Sequence, residues 1–201
     1  ISNFCRQNCR YCGIRKSNSR LARYRIDPQE VESIVSRARA EGFGAVAFQA
    51  GEVESEENTG YYERLLKSSA GLEVTLSLGE QREETFRRWR EAGAMRYLLG
   101  IETSNRELYA KIHPPSCSFD RRVQCLRTLK RLGYFTGTGV MIGIPGQTME
   151  DLARDIVFSA GRRWIWWEWD PISSIRILRL PDMKARGNLK TTAVGWRCRS
   201  E

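Results

Sequence analysis

Histidine is almost missing from this sequence: His113 is the only one in 201 residues. One imidazole with no partner at ligand spacing does not build a histidine zinc site, and it leaves no Ser-His-Asp arrangement. With no paired carboxylates standing out either, hydrolysis is a poor fit. His113 itself reads as structural or solvent-facing. Long apolar runs are missing too: none approaches the roughly 18 to 20 residues of a membrane span, and the start has no signal-peptide layout. These absences lead us to expect a soluble, cytoplasmic protein with no membrane partner. The chain starts at Ile1, in mid-pattern, so the natural N-terminus is expected upstream.

The formal charge is +9, from 33 Lys/Arg and 24 Asp/Glu. From Arg162 to the end, nine Lys/Arg against four Asp/Glu supply +5 of that excess. The small remainder is spread over amphipathic helices and reads as solvated surface, so no nucleic-acid partner is expected.

Short strand-like runs alternate with longer helix-like ones. "GAVAFQAG" (44 to 51), "LEVTLSLG" (72 to 79), "MRYLLGIE" (95 to 102) and "FTGTGVMIGIP" (135 to 145) read as strands. Helices are expected over 28 to 41, 59 to 69, 81 to 92, 119 to 132 and 148 to 160. Asp27 before Pro28 and Thr148 before "MEDL" are cap signals, and the Gly residues at 42, 93 and 133 are stops. Strict alternation indicates parallel β with crossover helices. The fold class is therefore α/β, a partial (β/α) TIM-type barrel. About five βα units fit if Ile1 to Phe4 end the first strand, against the eight of a full barrel of about 250 residues.

Three of the six cysteines crowd into "NFCRQNCRYCG", residues 3 to 13, as Cys5, Cys9 and Cys12. Clustered thiols without a secretory signal hold a metal or cluster more often than they form disulfides. Thiolates are soft ligands suited to zinc or iron-sulfur clusters. Structural zinc wants four ligands, and His113, Cys117, Cys125 and Cys198 offer no matching set. A four-iron cube held by three cysteines keeps one iron open for a small molecule.

"CRQNCRYC", with Tyr11 before the third cysteine, resembles the signature of radical S-adenosylmethionine (SAM) enzymes. The resemblance implies a 4Fe-4S cluster on Cys5, Cys9 and Cys12, with SAM chelated through its amino and carboxylate groups and cleaved to a 5'-deoxyadenosyl radical. It also implies SAM contacts. Gly51-Glu52 in "QAGEVES" matches the motif that holds the amino group, where a glycine allows close approach and a carboxylate bonds an ammonium. Glu102 in "YLLGIETSN" would contact SAM, and Arg122 in "FDRRVQCL" would meet its carboxylate, with Arg121 as rival. Ile142 in "GVMIGIPGQTMED" would lie against adenine. Within the superfamily, "ISNFCRQNCRYCGIRKSN", "VTLSLGE", "ETSNRELYAKIHP" and "GTGVMIGIPGQTMEDL" resemble the HydE family, maturases of the FeFe-hydrogenase diiron site, over residues 1 to about 158. Biotin-synthase-like and methylornithine-synthase-like families are the nearest competitors. The HydE-like reading implies a small iron-complex substrate carrying cysteine, carbon monoxide and cyanide, with other maturases and an electron donor as partners. A zinc-stabilised, basic nucleic-acid-binding module is the alternative of another class.

Cys125 shares a helix face with Leu129 and Leu132 and reads as core, Cys117 as a loop bystander, and Trp89 as packing. The last 38 residues hold five of the six tryptophans, beginning "WIWWEWDP". Tryptophan has the single codon TGG, so a shifted reading leaves little freedom. Trp164-Ile165 becomes Asp, Trp166-Trp167 Val, and both Trp167-Glu168 and Trp169-Asp170 Gly, consistent with "DMVGMGP", which resembles the sixth strand of the HydE family. Residues 1–163 are therefore expected to form the partial barrel, and 164–201 to be an out-of-frame tail after a slip between about Phe158 and Trp164. A chain cut in this way is expected to be marginally stable and inactive by itself.

Overall fold

Helices and strands alternate as the apolar runs predict. A computed structural model describes residues 1–161 and the backbone of 166–171. In chain order they form α1 (Pro28–Ala40), β1 (Ala45–Gln49), α2 (Glu56–Ser68), β2 (Glu73–Ser77), α3 (Glu83–Glu91), β3 (Arg96–Leu98), α4 (Arg106–Ile112), α5 (Phe119–Arg131), β4 (Phe135–Ile142), α6 (Met149–Gly161) and β5 (Trp166–Pro171). The caps work as read: Asp27 accepts from the Gln29 N–H at 2.8 Å, and the Thr148 hydroxyl accepts from the Asp151 N–H at 3.1 Å.

All five strands pair in parallel and lie in chain order, β1-β2-β3-β4-β5. An order that never reverses is that of a barrel wall, not of a doubly wound sheet. Ser2 bridges Ala50 in parallel, which places the chain start beside β1 as the end of a preceding strand. The C-terminal strand ends therefore share one rim, and the cysteine loop opens onto it. β5 pairs with β4 from Gly137↔Trp166 to Ile142↔Pro171. Residues 162–165 and 172–201 lie outside the described residues, and with them most of the segment expected to be out of frame.

Apolar faces of α1, α2, α3 and α5 close over the strands in one cluster that includes Val31, Leu65, Trp89, Leu76, Tyr97 and Leu126. Trp89 is wholly buried, meets Tyr62 edge-on at 5.5 Å and donates its indole N–H to the Thr59 carbonyl at 3.0 Å. Its packing role is borne out, as is that of buried Cys125. Helix α4 was not foreseen. It has seven residues, too few for a clear period, and its start rests on Asn105, which accepts from the Glu107 and Leu108 N–H groups at 2.9 and 3.2 Å. Leu108 and Ile112 of α4 form a second cluster with Met141 and Ile144, and Tyr11 packs onto it. That contact couples the cysteine loop to the end of β4.

Candidate metal centre and cofactor site

The loop carrying Cys5, Cys9 and Cys12 leaves the barrel rim and is tied down along its length. Arg6 N–H donates to the Glu52 carbonyl at 2.8 Å, and Arg10 N–H to the Ile112 carbonyl at 2.8 Å. The Arg23 guanidinium donates to the carbonyls of Asn3, Ile14 (2.8 Å) and Arg15 (2.6 Å). One planar side chain thus gathers backbone acceptors from both ends of the loop. No motif marked Arg23, because its partners are main-chain atoms.

Cys9 is buried, while Cys5 and Cys12 are half-buried. Burial and the neighbouring charges of Cys5 and Glu102 push the Cys12 thiol up, opposed by a hydrogen bond from the Ile14 N–H. The Cys9 thiol is raised further, by a hydrogen bond with Cys117 and by burial. Cys117 therefore stands at the site, although the sequence reading left it as a bystander.

The rim supplies charged groups from successive strand ends. Glu52, after β1, is buried. Its Oε1 accepts from Arg6 Nε at 3.0 Å and Gln7 Nε2 at 2.6 Å, and its Oε2 from the Glu80 N–H at 2.8 Å. A carboxylate has room for about four donors, so Glu52 keeps an acceptor position while it braces the loop. Gly51 beside it is required by the protein itself: a Cβ there would meet the Phe4 carbonyl oxygen at 2.3 Å and Cys5 Cβ at 2.6 Å. The expected close approach is thus made by the cysteine-bearing strand end.

Glu102, after β3, has a left-handed backbone with φ 64°, uncommon for a residue with a Cβ and typical of functional turns. Its N–H donates to the Gly139 carbonyl at 3.0 Å and its carbonyl accepts from the Met141 N–H at 2.8 Å, so β4 holds the strained turn. Gly100 leaves room for its carboxylate, since a Cβ there would lie 2.5 Å from Oε1. Arg122 reaches in from α5, buried, with Nε on Glu80 Oε1 at 2.7 Å and Nη1 on the Gly100 carbonyl at 2.8 Å. Burial opposes its charge, but Tyr109, Glu80, Tyr11 and Glu102 around it more than compensate. The rival, Arg121, is half exposed and pairs outward with Glu80 and Glu54. Ile142 ends β4, half-buried.

Tyr11 joins these groups: burial first, then the charges of Glu102 and Cys9, push its hydroxyl well above the ordinary tyrosine value. It donates to His113 Nε2 at 3.3 Å, an assignment that follows from His113 Nδ1 facing the Tyr109 carbonyl at 2.9 Å. His113 is buried and stacked on Tyr109, not solvent-facing. Tyr11 is thus the group on which the charges of Glu102, Cys9, Arg122 and Cys12 all act, while Glu52 braces the loop through Arg6 and Gln7.

These residues fit a thiolate-held cluster with an amino-acid-like ligand. Among the described residues no three Cys, His, Asp or Glu side chains close around one metal ion, as a tetrahedral zinc site requires. A polynuclear cube takes its thiolates at separated corners. The Tyr109 hydroxyl, beside Arg122, is buried without a hydrogen-bond partner, the signature of a group that a ligand or water completes.

Comparison with known proteins identifies relatives of this chain. The HydE subunit of the [FeFe] hydrogenase maturase of Thermotoga maritima is 48% identical over 168 residues, covering 79% of this chain and 45% of that protein. The 3-methylornithine synthase of Methanosarcina barkeri is 30% identical over 153 residues, 72% of this chain and 42% of that protein. A crystal structure of methylornithine synthase superposes with a TM-score of 0.78 at 26% identity, covering 85% of this chain and 51% of that one. The match thus spans about half the length of these relatives or somewhat less. The model of the radical SAM superfamily, whose cofactors are a 4Fe-4S cluster and SAM, matches residues 1–158. With its cysteine loop opening onto the rim of a parallel barrel wall, this chain belongs to the radical SAM superfamily.

Proposed function

We propose that this chain is the cluster- and SAM-binding part of an enzyme that matures the diiron site of FeFe hydrogenase. Its substrate would be a small iron complex carrying cysteine, carbon monoxide and cyanide. The observation that carries the reading is the 48% identity with the Thermotoga maritima HydE subunit, well above the 30% shared with a methylornithine synthase. Cys5, Cys9 and Cys12 would hold the cluster, which supplies the electron that cleaves SAM to the 5'-deoxyadenosyl radical. Glu52 and Glu102 would take the SAM ammonium, Arg122 its carboxylate, and the β4 backbone at Ile142 would lie along the adenine. Arg6, Gln7 and Arg23 hold the loop rigid, so the thiolates need little reorganisation. Other maturases and an electron donor are its proposed partners, in the cytoplasm; among the described residues no helix is long and apolar enough to cross a membrane.

In the reconstituted, reduced protein, formation of 5'-deoxyadenosine should be stimulated by a cysteine-bound iron carbonyl cyanide complex. Stimulation by an amino acid or by a biotin precursor instead would move the chain to a methylornithine- or biotin-synthase-like function. We further propose that residues 164–201 are read out of frame. Sequencing the DNA across codons 158 to 164 tests this, and a continuous frame in independent reads would overturn it.

A further inference from the structure

We propose that Asp155 is a positioning residue for SAM: its carboxylate ties the turn that presents Glu102 to the loop that follows Ile142. Asp155 lies on α6 and is wholly buried. Among the described residues its donors are all neutral. Its Oδ1 accepts from the Ser104 N–H, from the Ser104 hydroxyl at 2.6 Å and from the Thr103 hydroxyl at 3.4 Å, and its Oδ2 accepts from Gln147 Nε2 at 3.4 Å. A buried carboxylate without a cation is costly, and only a full set of donors offsets that cost. The donors here come from two segments distant in sequence, and both belong to the proposed SAM site.

Thr103 and Ser104 directly follow Glu102 and its left-handed backbone. Strand β4 holds Glu102 itself, through the Gly139 carbonyl and the Met141 N–H, and Asp155 holds the next two residues from α6, so the strained turn is gripped from both sides. One turn earlier on the same face of α6, Asp151 accepts from Asn105 Nδ2 at 2.7 Å and from the Thr148 N–H at 2.8 Å. The second segment is 143–147. Gln147 Oε1 accepts from the N–H groups of Gly143 at 2.8 Å and Ile144 at 3.2 Å, while its Nε2 donates to the Met141 carbonyl at 2.9 Å as well as to Asp155. One amide thus closes the loop on itself just past Ile142, and Asp155 fixes the closed loop against the Glu102 turn. Asp155→Asn keeps the shape and an acceptor for Ser104, but turns an NH2 toward the NH2 of Gln147, donor against donor. Flipping the Gln147 amide would relieve that clash only by giving up its bonds to Gly143, Ile144 and Met141.

The consequence for SAM rests on the reading of Glu102 and Ile142 as its contacts; the coupling of the two segments does not. A ligand that spans two subsites gains from their fixed separation, whereas either half of it alone does not. In the reconstituted protein, Asp155→Asn should weaken SAM binding by roughly tenfold or more, while methionine and 5'-deoxyadenosine, titrated separately, each stay within about threefold of the native protein and iron content is unchanged. An unchanged SAM affinity would overturn the proposal, and so would a parallel loss for all three ligands, which is what general loosening produces. Amide hydrogen exchange tests the coupling without SAM. In Asp155→Asn, and in Ser104→Ala, which removes a single hydroxyl and serves if the first variant does not fold, the Gly143 and Ile144 amides should exchange faster than in the native protein, although neither substitution touches them. Native exchange at both amides would overturn the coupling. If the native protein binds no SAM, the reading of the site fails, and hydrogen exchange still decides whether Asp155 joins the two segments.

Discussion

Arg122 and Glu80 form the most buried ion pair among the described residues: 2.7 Å between Nε and Oε1, with the side chains 7% and 4% exposed. Glu80 also donates its N–H to Glu52, which holds Arg6 and Gln7. One chain of charge-assisted contacts therefore runs from α5 to the cysteine loop. Arg122→Ala should cost about 1.5–3 kcal/mol, because Glu80 loses its buried partner on Oε1 and keeps only the half-exposed Arg121 on Oε2. It should also abolish measurable SAM binding. Urea denaturation and calorimetric titration check the two effects; a cost below about 1 kcal/mol would mean that the existing Arg121 pair is enough for Glu80.

Glu52→Gln keeps the shape but weakens charge-assisted bonds, each worth about 1.5–3 kcal/mol. SAM affinity should fall by roughly tenfold to a hundredfold, with helix content unchanged. An unaltered affinity would confine Glu52 to bracing the loop.

Gly51→Ala places a methyl group 2.3 Å from the Phe4 carbonyl oxygen, so the strand end before Cys5 must move. Iron content after reconstitution should drop sharply while the far-ultraviolet spectrum stays native. Full iron loading would show that the loop tolerates the shift.

Much of the fold was open to sequence reasoning because its determinants are local. Asp27, Pro28 and Thr148 start helices through atoms a few residues away, and the apolar alternation needs no partner. The cysteine motif is equally local. What escaped depends on approaches between distant segments: Cys117 on Cys9, Tyr11 on His113, and Glu52 on Arg6 and Gln7. Gly51 was read as a place of close approach by a ligand, and the neighbour that the structure shows there is the Phe4 backbone, which no local pattern encodes.

His113 should give the protein an acid-sensitive stability. Burial, aided by the Arg122 charge, pushes it down to about 4 from 6.5, so the folded state holds it neutral where the unfolded state binds a proton. That contribution is complete above pH 6.5, is lost as pH falls through the window and levels near pH 4, in all about 3 kcal/mol. Denaturation of the native protein and His113→Gln at a series of pH values should show this extra loss in the native protein alone. Parallel curves would contradict it.

The most direct measurement is electron paramagnetic resonance of the anaerobically reconstituted, reduced protein with and without SAM, with iron content and monodispersity checked on the same sample. The expected result is a 4Fe-4S signal that SAM perturbs and that disappears when Cys5, Cys9 and Cys12 are replaced by alanine. A folded sample that retains zinc and shows no SAM-responsive cluster would contradict the assignment of the three thiolates.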